Sequence, residues 1–281
     1  MDDGARLRTW DAGVARDDLL PIVTVHGGPG VPDYLGPVSD LVEDLTRVHR
    51  YDQRGVGGST WEGSHTIARH VEDLRHLLDA WGHDRVVLVG HSFGTDLASF
   101  FLLAHPDRVA GMVYLSGPFV GPWREPTRTV ERARRSGAQQ ARLDRLDQIP
   151  SRTGDEEIEF VALSWLTDHA DAHRAWEWAL ESARTSRPIN YAMNAQLNAD
   201  KRTDPLEVNV DRLRELLPVG ATIIGGEGDP RPADFLRQLA SRVDCDVTII
   251  PGAGHQPWLE QPDQFRSAFR NAVERQLRRV P

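Results

Sequence analysis

The sequence contains a single cysteine, Cys245, among its 281 residues. A lone cysteine can form no internal disulfide and can supply no cysteine-based metal cluster. We expect Cys245 to be a small apolar side chain on or beside a strand. The chain also lacks a metal-binding spacing such as H-E-x-x-H, so we expect no metal and no other cofactor.

Excess positive charge and long apolar runs are absent as well. The formal net charge is −9, and Lys201 is the only lysine. Nucleic-acid-binding proteins carry a basic face, so this balance argues against a nucleic-acid partner. No run approaches the ~18 apolar residues of a membrane-spanning helix. The segment that begins Met1-Asp2-Asp3 lacks the basic and apolar regions of a secretory signal. We therefore expect a cytoplasmic protein with no membrane partner.

What the sequence does contain is an alternation of short β-branched runs with helical patterns. This alternation is typical of an α/β fold in which helices cover both faces of a mostly parallel sheet. Helices are predicted over residues 33–46, 66–81, 95–105 and 261–278. Strands are predicted over Pro21–His26, Val48–Tyr51, Val86–Val89, Val109–Leu115, Ala221–Gly225 and Val247–Ile250.

Residues 119–215 interrupt the alternation. They are rich in Arg, Asp, Glu, Ala and Trp, and they are predicted to be entirely helical, with breaks near residues 150–154 and at Pro188. We interpret this stretch as a helical cap inserted into a core of residues 1–118 and 216–281. Ligands of open α/β sheets bind at the carboxyl ends of the strands, so we expect the cap to lie over that edge.

The strongest chemical signal is the G-x-S-x-G pattern of residues 90–94. It lies between a predicted strand and a predicted helix, which is the context of a nucleophile elbow. In that motif the serine sits on a strained turn that lifts its hydroxyl above the sheet. The pattern therefore predicts Ser92 as a nucleophile.

A serine hydroxyl is a poor nucleophile at neutral pH and needs a base that is oriented by an acid. Where this elbow carries a triad, the acid and then the histidine follow the serine in the chain. His255 follows the last predicted strand and is the predicted base. Asp229 follows the preceding strand and is the predicted acid, with Glu227, Asp234 and Asp244 as alternatives.

An acyl-transfer site also needs backbone donors for the oxyanion. One donor is the amide of Phe93, the residue after the nucleophile. The other is expected from the glycine turn that follows the first predicted strand. Glycine allows close approach of a substrate, so we favour the Gly28 amide, with Gly27 as second choice.

At this point the chain resembles the α/β-hydrolase fold and, more narrowly, the proline iminopeptidase group of serine peptidases. The resemblance rests on HGGPG at residues 26–30, DQRGVGGS at residues 52–59 and GHSFG at residues 90–94. It covers residues 20–118 and 216–281, and it is thin across the cap. It implies Ser92, Asp229 and His255 as the triad, no metal, and removal of an N-terminal residue, typically proline, from a small substrate or short peptide. It also makes Asp52-Gln53-Arg54 a structural brace.

An aminopeptidase must bind a free ammonium group. In some relatives a glutamate directly follows the catalytic aspartate, but Pro230 stands at that place here. In others the glutamate comes from a cap helix that bears tryptophan and glutamate. The similar segment here predicts Glu177 and Glu181 on one helix face. Either could receive an amine, and Trp176 and Trp178 beside them are candidates for an apolar substrate pocket, together with Trp123 and Trp165.

Three functions remain open from the sequence. The first is a proline iminopeptidase-like aminopeptidase. The second is an esterase, lactonase or amide hydrolase that acts on a small metabolite without a free amine. The third is a non-hydrolytic lyase or a ligand-binding protein on the same fold, and an intact serine, aspartate and histidine set disfavours a pure ligand-binding protein.

Overall fold

The computed structural model describes residues 1–16 and 18–277. Within them a seven-stranded sheet has the order β1-β3-β2-β4-β5-β6-β7, and only β1 runs antiparallel to its neighbour. The mostly parallel α/β sheet expected from the alternation is therefore confirmed. The strands are β1 (Thr9–Ala12), β2 (Ile22–Val25), β3 (Val48–Tyr51), β4 (Val86–His91), β5 (Val109–Leu115), β6 (Thr222–Gly226) and β7 (Asp246–Ile250).

Helices lie in the connections between the strands from β2 onward and after β7. Of those in the described residues, none is both long and apolar enough to cross a membrane. The helices are α1 (Gly36–Ser39), α2 (Ile67–Trp81), α3 (Phe93–Ala104), α4 (Arg124–Arg134), α5 (Gly137–Asp147), α6 (Gly154–Trp165), α7 (Ala175–Thr185), α8 (Tyr191–Thr203), α9 (Val210–Leu216), α10 (Ala233–Val243), α11 (Pro257–Glu260) and α12 (Pro262–Leu277).

One element differs from the sequence-based expectation, one was not predicted, and the predicted end of a third lies outside the described residues. Strand β1 was not predicted, because a four-residue segment of alternating exposed and half-buried side chains carries little apolar signal. The helix predicted over residues 33–46 is limited to α1, and the hydrogen bonds that follow it run from residue i to residue i−3, as in a series of turns. The final helix was predicted to reach residue 278, which lies outside the described residues.

The sheet is buried on both faces. In β4, Val86 and Leu88 pack in one apolar cluster with α2 and α3, while Val87 and Val89 pack in a second cluster with α12. Alternate side chains of one strand therefore enter different cores. Because both faces of such a strand are buried, a central strand of a parallel sheet appears in the sequence as a continuous apolar run.

Residues 119–215, called here the helical insertion, lie between β5 and β6 and contain no strand. Helices α5, α6 and α7 form a separate apolar cluster of their own. Helices α8 and α9 instead contribute Met193, Leu197, Val210 and Leu213 to the main cluster beside the sheet. The insertion is thus tied to the core through its last helices.

The segment Asp52-Gln53-Arg54 follows β3 and braces the loops beside it. Arg54 is fully buried and donates to both oxygens of Asp73, at 2.7 and 2.6 Å, and to Asp3 at 2.7 Å. The side-chain amide of Gln53 donates to the backbone oxygen of His26 at 2.6 Å. These contacts join the N-terminal segment, the glycine turn and helix α2.

Replacement of Arg54 tests this brace. The Arg54→Met variant removes the bidentate partner of the buried Asp73 carboxylate and leaves Arg69 as its cation, so we expect a loss of about 2–3 kcal/mol in the free energy of unfolding. Urea denaturation followed by circular dichroism measures the change. Arg237→Ala is the control, because Arg237 forms an exposed pair with Asp234, which is worth about 0–1 kcal/mol. Equal losses in the two variants would contradict the assignment.

Candidate active site

Ser92 stands alone between β4 and α3, at the carboxyl edge of the sheet. Its backbone has φ 53° and ψ −124°, in the left-handed region that is strained for a residue with a side chain. The motif's glycines allow strand and helix to approach. A Cβ atom on Gly94 would lie 2.0 Å from the Val25 oxygen, and one on Gly90 would lie 2.6 Å from the Gly94 oxygen. This is the local geometry of a nucleophile elbow.

His255 and Asp229 meet at the same edge of the sheet. Asp229 follows β6 and His255 follows β7, and parallel neighbouring strands bring these two loops together. The Nδ1 atom of His255 lies 2.6 Å from the Oδ2 atom of Asp229, and both side chains are buried. Of the four acidic candidates, Asp229 is therefore the one that the structure brings to His255. The others, Glu227, Asp234 and Asp244, are exposed.

Charge neighbours keep Asp229 ionised. Burial alone would raise the pKa of its carboxyl group, but His255 and Arg231 outweigh burial and lower that pKa to about 2. The carboxylate is thus available at neutral pH to hold an imidazole and to stabilise its cation.

A cavity of about 560 Å³ opens above Ser92 and His255. The aromatic side chains Phe160, Trp165 and Trp178 of the helical insertion lie on one side of it. Acidic side chains also reach the wall, namely Glu131, Asp168 and Glu181. A substrate that reaches Ser92 would therefore be enclosed by apolar rings with several carboxylates among them.

The glycine turn after β2 contributes to the same cavity. Gly28 lines it and has φ 124°, a conformation that favours glycine. The described residues offer no hydrogen-bond partner to the amides of Gly28 and Phe93. The Gly27 amide, in contrast, donates to the Tyr34 hydroxyl at 3.0 Å. Of the two glycines, Gly28 is therefore the one whose amide is free to receive an oxyanion.

Tyr34 and His91 form a hydrogen-bonded chain that the sequence did not reveal. The Tyr34 hydroxyl lies 2.6 Å from Nδ1 of His91, and Nε2 of His91 lies 3.0 Å from the backbone oxygen of His255. Burial lowers the pKa of His91 well below its ordinary value, so its ring is neutral and carries one proton. The tyrosine then donates to His91, which donates to His255. The place of His91 within the G-x-S-x-G motif was the one feature of the sequence that pointed to this hydrogen-bonded chain.

The candidates on helix α7 are divided between the cavity and the surface. Trp178 and Glu181 line the cavity. Trp176 is 40% exposed, and Glu177 is exposed with its carboxylate paired to Arg174. Glu177 and Glu181 share a helix face, but Glu177 lies one turn closer to the N-terminus of α7 and does not line the cavity. Of the remaining tryptophans, Trp165 lines the cavity and Trp123 packs beside the main core.

Glu131 is a cavity residue that the sequence did not single out. It is half-buried on α4, and burial raises the pKa of its carboxyl group. Its carboxylate has no hydrogen bond or salt bridge with the described residues. Helix α4 carries few apolar side chains, so its sequence did not mark Glu131 as a cavity residue. Within residues 1–16 and 18–277, no group of three or more histidine, cysteine or acidic residues could hold a metal ion.

Comparison with known proteins agrees with this geometry. Residues 21–262 match the α/β-hydrolase fold family. A proline iminopeptidase of Saccharolobus solfataricus is 37% identical over 117 residues, which is 39% of this chain and 38% of that relative's length. A putative carbamate hydrolase of a Caulobacter species is 25% identical over 88% of this chain and 93% of its own.

Among solved structures, a proline iminopeptidase-related protein of Thermus thermophilus superposes with a TM-score of 0.69 at 24% identity. That match covers 99% of this chain and 96% of the other, and at this identity it shows the fold alone. The resemblance to proline iminopeptidases seen in the motifs is thus confirmed by related sequences. The chain belongs to the α/β-hydrolase fold family.

Proposed function

We propose that the protein is a serine hydrolase that forms an acyl-enzyme. The contact that carries the proposal is the 2.6 Å hydrogen bond between His255 and Asp229 beside the strained Ser92. Because Asp229 holds Nδ1, the Nε2 atom of His255 is left to take the proton from Ser92 as its Oγ atom attacks a carbonyl carbon. The same histidine then donates that proton to the leaving group. Water, activated by His255, releases the acyl group and restores Ser92.

The amides of Gly28 and Phe93 hold the oxyanion of each tetrahedral intermediate in this proposal. Two features support the assignment: both amides lack a partner within the described residues, and Gly28 lines the cavity. Such donors act on charge that appears only in the transition state, so each contributes about 10²–10³ in kcat.

The substrate class that the cavity favours carries a free amine beside the scissile carbonyl, as in proline iminopeptidases. The observation behind this choice is the half-buried Glu131 carboxylate, which lines the cavity without a hydrogen bond or salt bridge to the described residues. Arg135, which directly follows α4 and is the cation that attracts this carboxylate most strongly, donates its hydrogen bonds to the backbone oxygens of Leu163 and Ser164. A substrate ammonium group would supply the missing partner of Glu131. Glu181 on the facing helix α7 adds a second negative charge to the wall.

A second candidate function is hydrolysis of an ester, lactone or amide without a free amine. It is favoured by Pro230, which stands where some relatives carry a glutamate directly after the catalytic aspartate. The helical insertion (residues 119–215) would then act as a cap that selects the substrate by its aromatic wall alone. The same triad serves both functions, so the choice between them depends on the response to the amine.

The Ser92→Ala variant tests the nucleophile. We expect its turnover to fall by about 10⁴-fold or more, because the remaining groups only bind and polarise the substrate. The variant should unfold at the wild-type temperature, since Ser92 has no side-chain contact in the elbow that stabilises the fold. Ser267→Ala, on the exposed face of α12, is the control and should keep full activity. Wild-type-like turnover by Ser92→Ala would refute serine catalysis.

A pair of substrates tests the amine site. We expect kcat/KM for proline 4-nitroanilide to exceed that for its N-acetyl derivative by about 100-fold, and Glu131→Gln to lose about 10- to 100-fold on the free amine alone. Glu177→Gln is the matched comparison, because that exposed carboxylate lies outside the cavity wall.

Two other results have distinct meanings. Equal loss on both substrates would assign Glu131 a structural role and would remove the support for an amine site. Hydrolysis of simple esters, with neither anilide cleaved, would favour the second candidate function.

A further inference from the structure

Arg231 connects the triad to the helical insertion through a single nitrogen atom. Its Nη1 atom donates to Oδ1 of Asp229 at 3.1 Å and to Oδ1 of Asp168 at 2.9 Å. Asp229 lies two residues before Arg231, whereas Asp168 belongs to the short turn that follows α6. The three side chains are 20%, 1% and 17% exposed for Arg231, Asp229 and Asp168, so solvent screens this ion-pair network only weakly.

Arg231 also fixes the orientation of the Asp229 carboxylate. Oδ1 of Asp229 accepts from the Arg231 backbone amide at 2.9 Å as well as from its Nη1 atom. Oδ2 accepts from Nδ1 of His255 at 2.6 Å. With Oδ1 held at two points, the carboxylate cannot rotate, and Oδ2 stays directed at the histidine.

The segment that carries Asp168 is docked on both catalytic loops. The backbone oxygen of Asp168 accepts from the His255 amide at 2.8 Å. A Cβ atom on Gly254 would lie 2.2 Å from that oxygen, and one on Gly228 would lie 2.4 Å from Cβ of Ala170. The two loops thus have glycine at the points where the insertion touches them. Asp168 is therefore held in place by its backbone and not only by its charge.

The buried carboxylate of Glu260 adds a second connection. It accepts from the amide of Gly254, which precedes the catalytic histidine, at 2.8 Å. It also accepts from the amides of Ala170 and Asp171 in the insertion, at 2.8 and 3.2 Å. One carboxylate thus holds both sides of the same contact.

We propose that Arg231 is a positioning residue that orients Asp229 and, through Asp168, makes the triad's geometry and charge depend on the helical insertion. The inference rests on the proposed serine mechanism. It gives residues 168–171 a part in catalysis, and it requires them to stay docked during turnover. Access to Ser92 must then come from movement elsewhere in the insertion.

The acid limb of the pH–rate profile is the fall of kcat/KM at low pH, where His255 becomes protonated. Removal of the Asp168 charge and removal of the Arg231 charge should move this limb in opposite directions. Loss of the Asp168 charge leaves Arg231 paired with Asp229 alone and makes the net charge beside His255 more positive, which disfavours a cation on His255 and moves the limb to lower pH. Loss of the Arg231 charge leaves two carboxylates beside the histidine and moves the limb to higher pH. A unit charge at this range in a protein interior corresponds to about half to one pH unit. The other titratable groups around His255 are His91, Tyr34, His169, Glu260 and, across the cavity, Glu131.

The experiment measures kcat/KM against pH for p-nitrophenyl acetate, an ester that needs no amine site. Asp168→Asn keeps an oxygen that can accept from Arg231, so it removes charge with little change of geometry. We expect its acid limb to move down by about half to one pH unit and that of Arg231→Gln to move up by a similar amount. The double variant should return close to the wild-type limb, because both charges are gone. Asp147→Asn, an exposed carboxylate of α5, is the charge-matched control and should not shift the limb.

Arg231→Lys separates charge from orientation. Lysine keeps the positive charge, so its acid limb should stay near that of the wild type, while kcat falls by about 10-fold or more because the carboxylate is held less firmly. If Arg231→Gln does not fold, which a thermal melt will reveal, Asp168→Asn still decides the question. An unchanged acid limb in Asp168→Asn would overturn the proposal.

Failure of this proposal can be distinguished from failure of the proposed function. If Ser92→Ala abolishes ester hydrolysis while the Asp168 and Arg231 variants leave the acid limb unchanged, the serine mechanism stands and the positioning role is refuted. If Ser92→Ala keeps its activity, the serine mechanism itself fails, and this proposal fails with it.

Discussion

The buried carboxylate of Asp229 is the constraint on which the rest of the site depends. An ionised group that is 1% exposed is strongly destabilising unless charged partners and hydrogen bonds replace its water. His255 supplies one partner and Arg231 the other, but Arg231 is itself largely buried and brings a positive charge that also needs compensation. That compensation comes from Asp168, in the helical insertion. A requirement that begins with one buried carboxylate is therefore met only when residues far apart in the chain are packed together.

The sheet was predictable because its signal is local. Central strands are buried on both faces, so each appears in the sequence as a short apolar run, and Val109–Leu115 matches β5 to the residue. Edge strand β1, with its half-exposed side chains, lacked such a run and was missed. The placement of Ser92, Asp229 and His255 after strands follows from the same regularity. Parallel strands end at one edge, so residues that follow β4, β6 and β7 approach each other whatever lies between them in the chain.

The wall of the cavity was not predictable in the same way. Glu131 and Glu181 look alike in sequence, as acidic residues on polar helices. Which of them is buried depends on how α4 and α7 pack over the sheet, and no local pattern encodes that packing. Arg231 posed a related difficulty, because a charged residue in a loop is normally exposed. Its burial follows only from the joint presence of Asp229 and Asp168, which are 61 positions apart in the chain. Chemistry carried by short motifs was recognisable, and chemistry assembled from distant charges was not.

The parts of the site set by short motifs and the parts set by helix packing differ in how freely their residues can change. The nucleophile elbow depends on backbone strain at Ser92 and on glycines at positions 90 and 94, where any Cβ atom would collide with a neighbouring chain segment. Those positions tolerate little change. Helix α4 and the first turns of α7 contact solvent along most of their length, so a substitution there alters the wall at little cost in stability. The exceptions are helices α8 and α9, whose apolar side chains belong to the main core, and the segment at residues 168–171, which is docked on the loops that carry Asp229 and His255. Selectivity is thus free to vary along the exposed faces of α4 and α7, while the segment that touches Asp229 and His255 is held by the same geometric demands as those two residues.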